Sequence, residues 1–327
     1  MRILSGVQPS GELHLGNYFG AIQQHLELQD QGDAFYFIAD YHALTTVQDA
    51  PRLRELVRDV AATYLALGLD PTKATFFRQS DVPEVHELTW MLNCVTGMGE
   101  LERATSYKDK VANGITPSVG LFTYPALMAS DILIYRSNLV PVGKDQVQHV
   151  EICRDMAQRF NHAFSCEVLI KPEHRLSKTP KVPGVDGQKM SKSYGNTIPI
   201  FASGKKLQKA IGKIVTDSKN PKLEALDPET CNAFAIFELF ADDEEREAMA
   251  KQYREDRTFL GYGVIKKRIK ELMDEAFGPA RERKEALLKP GSELDDVLAE
   301  GGKKARAIAR ETIDLCREAT GLTGPGS

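Results

Sequence analysis

The sequence predicts an α/β protein, an open parallel sheet in the N-terminal part followed by a helical second domain. Three observations carry this expectation. The chain opens with a strand-like Ile3-Leu4, a Gln8-Pro9-Ser10-Gly11 turn, and a helical pattern through Tyr18, Ile22, Leu26 and Leu28. The alternation then repeats. Ala34 to Ala39 is a continuous apolar run, the mark of a strand covered on both faces. From Pro51 to Leu67, Leu53, Leu56, Val57, Val60, Ala61, Tyr64 and Leu65 recur at helical spacing, with Pro51 at the start and Gly68 at the end. Thr75-Phe76-Phe77 follows as the next strand, and a β-α-β order of this kind requires right-handed crossovers in a parallel sheet. Third, beyond about Ile198 the strand signal fades. Phe234 to Phe240, Glu244 to Tyr253, Gly263 to Phe277 and Ala299 to Ala319 all read as helices. The division expected is therefore residues 1–196 for the sheet and 197–327 for the helices, with Gly324 to Ser327 a flexible end outside the fold.

Composition narrows the function classes. A chain of 327 residues, 42% hydrophobic and 27% charged, has room for a catalytic domain and a smaller one. No apolar run approaches the ~20 residues of a membrane span, and the first residues start a strand at once with no signal peptide, so a cytoplasmic protein is expected. Cys94, Cys153, Cys166, Cys231 and Cys316 are scattered without a C-x-x-C pair. Reduced thiols and no zinc or iron–sulfur site follow. The seven histidines show no metal-ligand spacing. A net charge of −4 excludes a generic nucleic-acid binder, so RNA contacts must be local. The richest basic stretches are Lys205-Lys206 with Lys209, Lys213, Lys219 and Lys222, and Lys266-Lys267-Arg268 with Lys270. Such helix faces are more often solvated surface than RNA sites. An RNA bound there should dissociate steeply with salt.

Two segments carry phosphate chemistry. Lys189-Met190-Ser191-Lys192-Ser193 places two ammonium groups and two hydroxyls among Gly184, Gly187 and Gly195. Glycines free the backbone, lysines supply point charges for phosphate oxygens, and serines donate to oxygens the lysines miss. Taken alone, such a loop is more often just solvated surface. Its partner, Gln8 to Asn17, spans the first strand-to-helix turn. There Gly16 permits close approach of a nucleotide, and His14 and Asn17 offer hydrogen bonds near a helix N-terminus.

This pair resembles the HIGH and KMSKS motifs of the class I aminoacyl-tRNA synthetases, with His14-Leu15-Gly16-Asn17 in the first place and a full match in the second. The Gln8-to-Gly11 lead-in and Gly16-Asn17-Tyr18 are similar to the tryptophanyl-tRNA synthetase family. So are Asp40 to Ala43, Gly99 to Arg103, Tyr124 to Leu133 and Val140 to Gln146. The likeness covers essentially the whole chain and thins after about Asp217. It implies a class I Rossmann-like, doubly wound parallel sheet with a C-terminal α-helical, anticodon-binding domain. It also implies ATP with Mg²⁺, L-tryptophan and tRNA(Trp) as partners, and a homodimer.

The residues implied follow motif by motif. Lys189, Lys192 and His14 would serve the chemistry. Gln8, Pro9, Ser10, Gly16, Asn17, Gly143, Lys144, Asp145, Val182 and the loop Lys189, Met190, Ser191, Lys192 and Ser193 would hold ATP. Tyr124 and Gln146 would hold the α-amino group, with His42 near the amino acid. Tyr124, Leu127, Met128 and Asp131 fall at i, i+3, i+4 and i+7, on one helix face. A carboxylate in so apolar a helix needs a partner. A backbone N–H or Arg136 could supply it, and so could the single donor of an indole, which the resemblance favours. Leu4, Tyr41 and Lys144 depart from residues frequent in bacterial relatives and soften the side-chain and ribose contacts. Tyrosyl-tRNA synthetase shares the fold and both motifs, but the Tyr124–Asp131 block argues against it. A small-molecule adenylyltransferase would not need the helical half, and a synthetase-derived regulatory or binding protein would not need both loop lysines.

Overall fold

Five strands form one sheet: β1 (Arg2–Val7), β2 (Asp33–Ile38), β3 (Ala74–Arg78), β4 (Leu139–Val142) and β5 (Glu173–Leu176). The computed structural model describes residues 1–104, 107, 114, 117–143, 146–176, 182–217, 219, 224, 226–255 and 261–322. Among them the helices are, in chain order, α1 (Leu15–Asn17), which runs through a π-helical turn Tyr18–Ile22 into α2 (Gln23–Leu28), then α3 (Asp40–Ala43), α4 (Ala50–Ala66), α5 (Glu84–Val95), α6 (Met98–Glu102), α7 (Val119–Leu133) and α8 (Val147–Ala163). Beyond them come α9 (Gly204–Gly212), α10 (Asn232–Phe237), α11 (Asp243–Glu255), α12 (Tyr262–Leu287) and α13 (Leu294–Thr320). Backbone contacts divide the chain into two units. Met1–Gly11, Gln24–Ser177 and Leu287–Ser327 form the first; Glu12–Gln23 and Lys178–Ala286 form the second.

In the first unit every strand pairing is parallel and the order is β3-β2-β1-β4-β5. The expected parallel α/β sheet is what the residues build. The chain winds outward from β1 to β3, then returns to the other side of β1 with β4. That reversal makes the gap between β1 and β4 the topological switch point, where ligands of such sheets bind outside the carboxyl ends. Gln8, Pro9 and Ser10 leave β1 at that end, and Gly143 leaves β4 there. The core is aromatic and aliphatic: Ile3, Leu4, Phe35, Phe37 and Phe77 are buried, and Phe35 meets Phe77 edge-on. Asp49 caps α4 by accepting the Arg52 N–H at 2.8 Å, with Pro51 in the first turn. Ser118 caps α7 by accepting the Leu121 N–H.

A boundary at residue 196 is not how the contacts fall. The last helix, α13, packs along β3 in the first unit, and the second unit takes in residues 12–23. Two glycines make the packing of α13 possible. A Cβ on Gly301 would lie 1.8 Å from the Phe76 carbonyl oxygen, and one on Gly302 would lie 2.8 Å from the Asp81 Cβ. Ion pairs continue the seam. Arg306 and Arg310 both reach Glu84, and Arg317 binds both oxygens of Glu87 at 2.7 and 2.6 Å. In the second unit Tyr18 packs edge-on against Phe277, and Phe19 against Phe240, so the π-helical turn is anchored in the helical core.

The Gly301 contact yields a stability prediction. Gly301→Ala drives a methyl into backbone and should cost on the order of 3 kcal/mol, read as a lowered thermal midpoint. Gly263→Ala, with open space around it, should be neutral or stabilising by comparison.

Candidate active site

Within the second unit the two motifs meet, although more than 170 residues separate them in sequence. The junction is a short antiparallel bridge between His14 and Pro199. The Leu15 N–H donates to the Ile198 carbonyl at 3.0 Å, and the Ile200 N–H donates to the Leu13 carbonyl at 3.1 Å. This fixes the start of α1 against the segment that leaves the lysine loop. Gly16 then lies under Met190: its N–H points at the Met190 sulfur at 3.3 Å, and an added Cβ would crowd the His14 ring at 3.0 Å. The Asn17 side chain accepts the His14 N–H, closing the first turn. His14 is buried, and Nδ1 has no hydrogen-bond partner among the described residues. Its pKa is held down to about 4, first by burial and then by the positive charge of Lys192. His14 is therefore a neutral imidazole at pH 7, able to donate or accept a hydrogen bond beside a cation.

The loop itself is held by one buried amide that the sequence reading missed. Asn196 is 2% exposed. Its Oδ1 accepts the Ser191 N–H at 2.8 Å, and its Nδ2 donates to the Asp186 carboxylate at 2.8 Å and the Lys189 carbonyl at 3.1 Å. A Cβ on Gly184 would strike that amide, which explains the glycine. The same Asn196 hydrogen bond keeps the Asp186 carboxyl below its usual range. Met190 N–H pairs with the Val182 carbonyl at 2.9 Å, and the Ser191 and Ser193 hydroxyls bond to each other. The two ends of the loop are thus fixed while Lys189 and Ser191 to Tyr194 stay at the surface.

In the first unit Asp131 is 1% exposed on α7. Its partners are neither a backbone N–H nor Arg136. Gln79, in the turn after β3, donates from Nε2 to both carboxylate oxygens at 2.8 and 2.9 Å, and His42 on α3 bonds Oδ2 at 2.9 Å. Arg136 has a left-handed backbone at φ 51°, and its Nε is unpartnered among the described residues. Beside this cluster a cleft of about 300 Å³ is lined by Tyr41, His42, His86, Thr89, Tyr124 and Leu127. Asp131 does not line it; His42 does. Tyr124 OH meets the His149 Nε2 at 2.5 Å, and Met128 packs partly buried against the core. Tyr41, one of the departures, sets its ring edge-on against His86 at 4.2 Å, and Leu4, another, is core.

The remaining expected residues divide between the units. In the first, Gln8 Nε2 reaches the His42 carbonyl at 3.4 Å, the Ser10 N–H bonds the Gln8 carbonyl beside buried Pro9, and the Gly143 carbonyl accepts the Gln146 N–H at the start of α8. In the second lie His14, Gly16, Asn17, Val182 and the Lys189–Ser193 loop. Lys144 and Asp145 lie outside the described residues.

A parallel sheet with its switch point beside β1, and a glycine-bearing first helix turn paired with a lysine–serine loop, define a class I aminoacyl-tRNA synthetase. Residues 1–278 match the family model described as tRNA synthetases class I (W and Y). The chain belongs to this family. It is 52% identical over 322 residues to a tryptophan–tRNA ligase of Rhodopirellula baltica, covering 98% of this chain and 100% of the relative. A tryptophan–tRNA ligase of Fusobacterium nucleatum is 50% identical over 324 residues, at 99% and 98% coverage. The crystal structure of Campylobacter jejuni tryptophanyl-tRNA synthetase complexed with ADP and tryptophan superposes with a TM-score of 0.93. It is 48% identical over 98% of this chain and 100% of that one. A tyrosyl-tRNA synthetase of Archaeoglobus fulgidus shares the fold at a TM-score of 0.66 and 23% identity, over 86% of this chain and 90% of that one.

The buried imidazole gives a pH prediction. Its folded pKa of about 4 lies below the ordinary 6.5. The unfolded chain therefore takes up the proton first, and the stability His14 contributes is full above pH 6.5 and falls away as the pH drops toward 4. NMR titration of His14 should show half-protonation near that value. In Lys192→Ala the midpoint should rise yet stay below 6.5, because burial is the larger cause.

Proposed function

We propose that the chain is a tryptophan–tRNA ligase, activating L-tryptophan with ATP and transferring it to tRNA(Trp). The observation that carries the reading is the seating of Met190 on the Gly16 N–H, which places a loop of two lysines and two serines against the first helix turn. High identity over nearly the full length of the tryptophan ligases, against fold-level likeness to a tyrosyl enzyme, favours tryptophan.

In activation, a tryptophan carboxylate oxygen attacks the α-phosphorus of ATP, the bond to the β-phosphate oxygen breaks, and pyrophosphate leaves. The carboxylate is ionised at pH 7, so no general base is required. Catalysis rests on positioning and on stabilising charge that grows on the leaving group. Lys189 and Lys192 supply that charge, and neutral His14 supplies a hydrogen bond without repelling Lys192. Gln8, Pro9, Ser10 and Gly143 in the first unit, and Gly16, Asn17, Val182, Met190, Ser191 and Ser193 in the second, are the residues that would contact ATP. Mg²⁺ bound with ATP would share the phosphate charge beside Lys189 and Lys192. Tyr124, Gln146 and His42 hold the amino acid, Met128 packs on its ring, and Asp131 accepts the indole N–H. In transfer, a hydroxyl of the terminal tRNA ribose attacks the adenylate carbonyl and AMP leaves.

Partners follow the same reading. The helices α9 to α12 would read the anticodon, with bases splayed onto a partly basic surface. Trp90 on α5, Met98 on α6 and Val119 on α7 are 70%, 65% and 80% exposed, an apolar set that a second copy of the chain would cover in a homodimer. Among the described residues no helix is long and apolar enough to cross a membrane.

Amino-acid-dependent ATP–pyrophosphate exchange tests the proposal. Exchange should require tryptophan and ignore tyrosine and phenylalanine. Lys192→Ala should lower its rate roughly 100- to 1,000-fold with tryptophan affinity nearly unchanged. A variant exchanging at the normal rate would remove Lys192 from the chemistry.

A further inference from the structure

The proposed function leaves unexplained why the chain buries a carboxylate under two polar partners rather than aiming it at open space. The answer lies in Gln79, whose orientation is fixed by its surroundings. Nε2 faces Asp131, which as a carboxylate can only accept, at 2.8 and 2.9 Å. Oε1 faces two backbone N–H groups, which can only donate, from Tyr41 at 3.1 Å and His42 at 3.4 Å. Flipping the amide would oppose like to like on both sides. Gln79 is 1% exposed, so each misplaced group would be stranded away from water.

We propose that Gln79 is a positioning residue for amino-acid selection: it sets the Asp131 carboxylate so that a single acceptor position remains, matched to one N–H donor. A carboxylate offers about four lone-pair positions. Gln79 uses one on each oxygen, and His42 uses a second on Oδ2 at 2.9 Å. Among the described residues one position on Oδ1 is left. Gln79 also holds the carboxylate without neutralising it, because an amide brings no charge, so the remaining position keeps the acceptor strength of an anion. Through Oε1 the same amide fixes the backbone of Tyr41 and His42, two residues of the cleft wall. One side chain therefore orients both the acceptor and the wall beside it. A substrate ring with a single N–H completes the set. An isostere without that donor leaves a buried lone pair unmatched.

The inference rests on the tryptophan reading, and one assay separates the two. ATP–pyrophosphate exchange is measured with tryptophan and with 3-(benzothien-3-yl)alanine, in which sulfur replaces the indole N–H, for the full chain and for Gln79→Leu. The ratio of kcat/KM for tryptophan to that for the isostere should fall roughly 10- to 100-fold in the variant, mainly through the KM for tryptophan. Exchange with the isostere should persist. Should Gln79→Leu not fold, Gln79→Glu and Gln79→Asn keep a polar stem and are read by the same ratio. A ratio unchanged within about twofold, including the case where both substrates lose equally, overturns the role. Asp131→Asn assigns any failure. A ratio that moves with Asp131→Asn but not with the Gln79 variants sinks this inference alone. A ratio indifferent to Asp131→Asn sinks the carboxylate reading beneath it.

Discussion

The bridge between His14 and Pro199 is the constraint on which the seating of the two motifs depends. Two backbone hydrogen bonds, from Leu15 to Ile198 and from Ile200 to Leu13, tie the first helix turn to the exit of the lysine loop. Everything near the two motifs follows from that register. A shift of one residue would reverse which side chains face the loop. Met190 would leave the Gly16 N–H, and His14 would leave the field of Lys192. The bridge also explains why residues 12–23 belong with residues 178–286. The first motif is held by the segment that carries the second, and its aromatic flank, Tyr18 and Phe19, packs on Phe277 and Phe240.

In each unit a cluster of polar groups is organised by a buried primary amide. Asn196 collects the Ser191 N–H, the Lys189 carbonyl and the Asp186 carboxylate. Gln79 collects the Asp131 carboxylate and the N–H groups of Tyr41 and His42. An amide suits both places because it offers donors on one atom and acceptor positions on the other, with no charge to bury. Lysine or arginine in either place would add a cation beside groups whose charge is in use. A buried amide with only half its partners would be worse than none, since each orphaned group costs about 1–3 kcal/mol. In each amide both the nitrogen and the oxygen are partnered, which makes these clusters supports for the more exposed residues around them.

Much of this was legible in the sequence, because hydrophobic periodicity reports burial directly. The run Ala34 to Ala39 became β2, the pattern Pro51 to Leu67 became α4, and Thr75 to Phe77 became β3, each within a residue or two. The pairing of the two motifs, seated on each other at Gly16 and Met190, was legible from glycine, lysine and serine at fixed spacing. Gln79 was not. A single polar residue in a turn has no period, and nothing in its neighbours names a partner 52 positions away. Asn196 was equally silent, sitting at the edge of a segment read for its lysines. The two partners open for Asp131, a backbone N–H and Arg136, were the ones nearest in sequence, and sequence proximity was the wrong guide to a contact made across the unit.

The boundary expected at residue 196 and the two contact units divide the chain differently, for another reason. It was drawn where strand signal gave way to helix signal, but secondary structure type does not determine which core an element joins. A long amphipathic helix can be claimed by any apolar surface of the right shape. For α13 that surface is β3, and the deciding residues are Gly301 and Gly302, where the helix approaches the Phe76 carbonyl and Asp81 too closely for any Cβ. Two adjacent glycines inside a helical pattern cost helix stability, so their presence marks a close approach rather than a break. The arginines that follow on the same helix, Arg306, Arg310 and Arg317, match Glu84 and Glu87 on α5. Close backbone approach sets the depth of α13 and the ion pairs set its direction. Together they buttress the strand whose next residue is Gln79, so the last helix of the chain supports the turn that holds Asp131.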